Sequence, residues 1–270
     1  MTDRSWSHVL LRYARLYGAY FRANWLSLMS YRVDFIIRNL SNLVFMLATV
    51  GLVGLVYHNV ETIKGWSFEQ LLVIYAAASL SRALWHLLSV NLISIGVYVQ
   101  TGDFDRLLLR PINPLFQLVA DYVDNDDWGE LVLGIVLLVC AWKQANLPFS
   151  LSTIGWLCLM LVCGFVLYFS IHLFFNTFAF WVVQNKPLER MAWEFDRFTT
   201  YPMTIYGPWL RFILTWLIPF GFVAFYPATV LFSEVPSKIG KLTPLIALGA
   251  FLSAYRFWIF GLSKYQSTGS

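Results

Sequence analysis

Few side chains in this sequence are of kinds that do chemistry, and their spacing argues against most of it. The four histidines, His8, His58, His86 and His172, are scattered. None forms H-E-x-x-H or another paired spacing that would hold a catalytic zinc. No G-x-S-x-G turn presents a nucleophilic serine. No G-x-x-x-x-G-K-[ST] loop is present to cradle a nucleotide's phosphates, and the nearest fragment, KIGKLTP at 238–244, has Leu after the lysine. The segment DYVDNDDWGE, 121–130, carries an acidic run from Asp124 to Asp127 that invites a divalent cation. It lacks the glycine and ligand spacing of a calcium loop, and reads as a solvated entry to an apolar helix. Cys140, Cys158 and Cys163 all fall in apolar runs, where cysteine acts as a small packing residue. Metal and nucleophilic catalysis therefore have little support.

Arg82 stands apart. It lies within the apolar stretch AAASLSRALWHLL, where an arginine at a membrane helix centre costs roughly 2.5–3.5 kcal/mol. One reading pairs it with a carbonyl or an acidic group on a neighbouring helix. The other makes it, with His86, part of a path for a polar or anionic substrate.

The elements that hold these residues follow from composition. The chain has 270 residues, 59% hydrophobic, 18% aromatic and 13% charged, with a mean hydropathy of +0.63. Soluble domains carry about 25% charged residues, so this composition is that of an integral membrane protein. A bilayer core of about 30 Å needs about 20 apolar residues per helical span. Six stretches qualify, near 35–57, 68–97, 128–147, 153–183, 208–232 and 242–262. The fifth is interrupted by Pro219 and Pro227, each lacking an amide hydrogen. It is expected to end near Pro219 and to be followed by a re-entrant segment, tolerable at depth where protein or water covers the backbone. The fold class expected is all-α and membrane-embedded.

Charge sets the orientation. With the N-terminus inside, the inner segments collect fourteen Lys and Arg and the outer loops four, namely Lys64, Lys143, Lys238 and Lys241. The positive-inside bias then puts both termini in the cytoplasm. No cleavable leader is expected, because the first thirty residues lack an apolar core ahead of a small-residue cleavage site. Residues 1–30 form their own unit. On a helix Arg4, His8, Arg12, Arg15 and Arg22 share an arc of about 80°, while Trp6, Val9, Leu10, Tyr13, Tyr17, Tyr20 and Phe21 face the other way. Such a helix lies in the headgroup plane. It serves as a topological anchor, as a sliding connector between membrane and cytoplasmic motions, or as both. Residues 31–270 read as one compact six-span domain.

The stretch GDFDRLLLRPINPLFQ, 102–117, is charged between two apolar runs. Gly102 can end one helix, and Asp103 or Asp105 can cap the next. Phe104, Leu107 and Leu108 form an apolar edge beside Asp105 and Arg106. Pro111 and Pro114 are expected to stop the helix. An apolar edge is poorly placed in water, which points to a docking partner.

At these residues the sequence resembles a known family. LLLRPINPLFQ (107–117), EFDRFTTYPMTIY (194–206), IPFGFVAFYPA (218–228) and FWIFGLSKYQSTGS (257–270) are similar to the permease subunits of type-2 ABC exporters, in the stand-alone branch of about 260 residues. The resemblance covers nearly the whole chain. It implies a half-transporter of a bacterial cytoplasmic membrane that pairs with a second copy or a related permease. Two separate ABC ATPase subunits would bind ATP and Mg; this chain would bind no cofactor and no nucleic acid. It further implies that residues 1–30 are a connecting helix. Residues Asp103, Phe104, Asp105, Arg106, Leu107, Leu108, Leu109 and Arg110, with Pro111 and Pro114, would carry the coupling helix that seats in the ATPase. Short re-entrant helices between spans five and six suit the breaks at Pro219 and Pro227. The transported substrate would be amphiphilic or lipid-linked. Two other classes stay open: an intramembrane lipid-modifying enzyme, and an independent channel or secondary transporter.

Overall fold

The computed structural model describes residues 6–30, 32–122, 127–182, 185–232 and 238–267, with the side chains of residues 6, 7, 10 and 27–30 outside that description. Its regular elements are all helical. In chain order they are α1 (Trp6–Ser30), α2 (Arg32–Asn59), α3 (Phe68–Ser89), α4 (Ile95–Thr101), α5 (Asp103–Leu108), α6 (Pro114–Asp121), α7 (Trp128–Gln144), α8 (Leu151–Thr177), α9 (Lys186–Asp196), α10 (Pro208–Phe212), α11 (Phe225–Thr229) and α12 (Thr243–Lys264).

Among the described residues four helices are long and apolar enough to cross a membrane: Arg32–Asn59, Phe68–Thr101, Leu151–Phe180 and Gly240–Lys264. They match four of the expected spans. The stretch expected at 128–147 becomes α7, whose 17 residues rise only about 26 Å at 1.5 Å per residue.

α3 is the central element, started by a capping box in which Ser67 and Gln70 satisfy each other's backbone amides. It packs against α7 and α8, while α12 packs on α8. Small residues permit the close approach. A Cβ on Gly164 of α8 would come within 2.3 Å of the Ser81 hydroxyl, and one on Gly134 of α7 within 2.9 Å of Leu80. Without water to drive helices together, such contacts carry membrane packing. α2 leaves most of its surface uncovered, with Ile36, Leu40, Phe45, Leu52 and Leu55 all exposed.

The expected fifth span is corrected. Residues 208–232 contain no helix long enough to cross. α10 passes into a π turn, Ile213–Leu217, and the chain bends at Ile218 and Pro219 before α11. It then doubles back, for the Tyr226 hydroxyl lies 2.8 Å from that of Thr215. The apolar run is thus a hairpin turning at Pro219, where the amide needed to continue the helix is missing.

Residues 185–206, which fall between the expected fourth and fifth spans, run along α3. Asn185 lies against Gly96, Trp193 against Trp85 and His86, Asp196 against Arg82, and Thr204 accepts from the indole of Trp66 at 2.9 Å. These contacts step from the far end of the α3–α4 rod to the residue just before the Ser67 cap.

Candidate functional site

The charged segment after α4 is built by a sharp bend. Gly102 takes the left-handed conformation, φ 77°, which glycine adopts without a Cβ penalty. α5 then starts with no side-chain cap. The expected capping by Asp103 or Asp105 is therefore corrected: Asp103 accepts from Thr101 at 2.8 Å and from Arg106 at 3.4 Å. Asp105 accepts from the Tyr265 hydroxyl at 2.9 Å and the Ser267 hydroxyl at 2.6 Å. The tail after α12 is in this way latched onto α5. Burial and the Asp105 acceptor push the Tyr265 phenol up to about 12.

The expected apolar edge is also redistributed. Phe104 and Leu107 are buried, with Phe104 edge-on to Phe180, Trp258 and Tyr265. The partner of that edge is the chain's own α12 and the turn after α8. What remains outside is a blunt tip: Leu109 is 85% exposed, Leu108 half as much, and Arg106, Arg110 and Pro111 are exposed or nearly so. Pro114 does not stop a helix but opens α6, since Asn113 caps it by accepting from the amides of Leu115 and Phe116. Gln117 closes the turn, donating to the carbonyls of Leu107 at 3.1 Å and Ile112 at 2.8 Å.

α1 rests on this turn. Tyr13 packs edge-on against Phe116 with centroids 4.7 Å apart, and its hydroxyl accepts from the Asn113 amide at 3.4 Å. Tyr17 donates to the Leu88 carbonyl at 3.0 Å, and burial pushes its phenol up. Tyr20 accepts from Arg110 at 3.3 Å. The ring face of α1 thus meets protein, while Arg12, Arg15 and Arg22 stay exposed. Arg4 and the side chain of Trp6 lie outside the described residues.

A second constellation lies deeper. Arg82 donates to Glu130 at 2.5 Å and to Asp196 at 3.3 Å. Tyr168 donates to the other oxygen of Asp196. One turn further along α3, His86 pairs with Asp127, which also accepts from Asn42 at 3.1 Å. Asp127 is therefore buried against protein rather than solvated; Asp124 to Asp126 lie outside the described residues. Trp85 stacks on His172 at 3.9 Å, and Trp193 meets both. Arg82 is level with the first turn of α7, held between two carboxylates. Sequence reasoning missed Glu130 and Asp196. Their signal was that each stands at the edge of an apolar run, in WGELVLG and WEFDRF, available to a cation.

The chain matches the model of the ABC-2 family transporter proteins across residues 43–269. It belongs to the ABC-2 transporter family. The match includes every helix from α3 onward, the latch and the Arg82 network, and most of α2; α1 precedes it. No curated protein matches the chain. As an ABC-2 family member with several membrane-length helices, the chain is a multi-pass membrane protein with a permease role.

Proposed function

We propose that this ABC-2 permease is the membrane half of an ATP-driven exporter, and that its ATPase subunit docks on the tip between α5 and α6. The observation that carries the reading is the exposed Leu109 beside Arg106 and Arg110, at the apex of a turn braced from three sides. α1 holds it through Tyr13 and Tyr20, α6 through Gln117, and the tail through Asp105. A push on the apex is transmitted rather than absorbed, which a coupling element requires. The ATP and Mg belong to the partner, whose P-loop this chain lacks.

Six crossings suit the reading, with α2, α3, α7, α8, the 185–206 climb and α12 as the traversing segments and 208–229 as the re-entrant hairpin. Both termini then share the cytoplasmic side of a bacterial cytoplasmic membrane. A second permease, identical or related, pairs with this one. Closure of the ATPase dimer moves the two tips and rocks the two permeases, exporting an amphiphilic substrate.

The test is purification of the tagged permease from native membranes, with ATPase activity followed in the assembly. Leu109→Glu combined with Arg110→Glu is expected to release the ATPase while the permease still inserts. Undiminished co-purification and activity would remove the docking assignment. Transport by the purified chain alone would favour an independent carrier.

A further inference from the structure

A groove of about 580 Å³ opens between α8, α12 and the π turn of the fifth region. Phe174 and Phe175 form one wall, Leu245, Gly249 and Ala250 the other, and the bend from Trp216 to Pro219 the floor. Its volume is in the range of small-molecule sites, roughly 300–1,000 Å³. None of its lining residues is charged. Of the three hydroxyl residues in its lining, Ser170 is committed to the Val166 carbonyl and Thr215 to the Arg211 carbonyl, each at 2.6 Å, which leaves Ser253. A sugar, nucleotide or peptide entering here would lose its water and find one free hydroxyl in exchange, at a cost for each polar group left unpaired. Hydrocarbon meets no such penalty.

The position names the source. Two walls are helices long enough to cross a membrane, and the lining residues Leu217, Trp216 and Leu245 are all more than half exposed. The groove is therefore continuous with the surface that lipid solvates. Its floor is also where the backbone leaves α-helical form, and irregular backbone at depth needs a cover.

We infer that the groove is a binding site for one acyl chain of a bilayer phospholipid, seated against the π turn and the Pro219 bend. The site is separate from the Arg82 network and from the α5–α6 tip. Its occupancy braces the hairpin that the apolar run 208–232 forms in place of a span.

The experiment uses the full chain in nanodiscs made with phosphatidylethanolamine that carries a mid-chain diazirine. After photolysis, labelled residues are mapped by mass spectrometry. Adducts are expected at Phe174, Leu217 and Leu245 several-fold above those at Phe45 and Leu52 on the exposed face of α2. A Cβ on Gly249 would meet nothing within 4 Å, so Gly249→Phe can fill the groove without a clash at its root. That variant is expected to lose the groove adducts, while Leu252→Phe, outside the groove, keeps them. Labelling no stronger than on α2, or unchanged in Gly249→Phe, would mean bulk lipid and overturn the site. Labelling of α2 with none in the groove would mean that protein covers it, and would overturn it equally. Neither outcome bears on ATPase docking, which this experiment does not engage.

Discussion

Removing the guanidinium of Arg82 should be among the most destabilising single changes in the protein. Arg82→Met leaves Glu130 and Asp196 facing each other's charge with no cation between them. Their side chains are only 11% and 6% exposed, so water cannot replace the arginine. Breaking a buried ion pair by removing one partner costs about 3–5 kcal/mol. The 23% exposure of the Arg82 side chain favours the lower end, about 3 kcal/mol. The second half of the reasoning is that the cost lies in the orphaned carboxylates and not in lost attraction. Adding Glu130→Gln and Asp196→Asn to Arg82→Met should therefore recover most of the loss. The assay is thermal unfolding of detergent-purified protein, followed by the fraction that stays monodisperse after heating. The expected order is wild type, then the triple variant, then Arg82→Met. The control is Arg106→Ala, whose side chain is 72% exposed and whose ion pair is worth about 1 kcal/mol at most. If Arg82→Met is no worse than Arg106→Ala, or the triple variant is worse than the single, the network does not hold the helices as described.

Tyr265→Phe or Asp105→Asn should free the tail from α5, seen as faster proteolysis after Lys264 with the membrane helices unaffected. The latch uses the protonated phenol, whose folded pKa is raised from 10.0 to about 12. Its contribution is complete below the ordinary value and disappears as pH climbs through the raised one. Protection of the tail in wild type should thus stay flat from neutrality to pH 10.0. Gly164→Val should cost about 1–3 kcal/mol by overpacking, since a Cβ there meets Ser81 and the Val223 carbonyl; Gly155→Ala, with nothing within 4 Å, should leave thermal stability unchanged. Tyr13→Ala with Tyr20→Ala should detach α1 from α6, read as increased hydrogen exchange at Asn113 to Gln117.

The membrane class and most of the long helices were legible because hydrocarbon length needs only a count of apolar residues. The fifth region shows the limit of that count. Residues 208–232 are oily enough to cross, and Pro219 marks a break, but only the tertiary contact of Tyr226 with Thr215 shows that the chain turns back. Residues 185–206 fall between two expected spans, and the sequence does not say that Asp196 meets Arg82 and Tyr168. The segment proposed for docking stood out by its prolines and its apolar edge. Which side of it faced outward was not legible, since Phe104 is covered by residues about seventy to one hundred and sixty positions later in the chain, Phe180, Trp258 and Tyr265. Helical spacing puts Tyr13 and Tyr17 of α1 on one face; that both meet Phe116 depends on how α6 folds beneath them.

The most direct measurement replaces Leu109 with a photo-crosslinking amino acid in the permease expressed in its native membrane. Leu109 is the most exposed large hydrophobic residue of the α5–α6 tip, so the substitution replaces an outward-facing side chain. Illumination should yield one dominant adduct, containing an ABC ATPase subunit, and the same group at Leu55 on the exposed face of α2 should yield none with that partner. Adducts at Leu109 with lipid alone, or with the ATPase at Leu55 instead, would contradict docking at this tip.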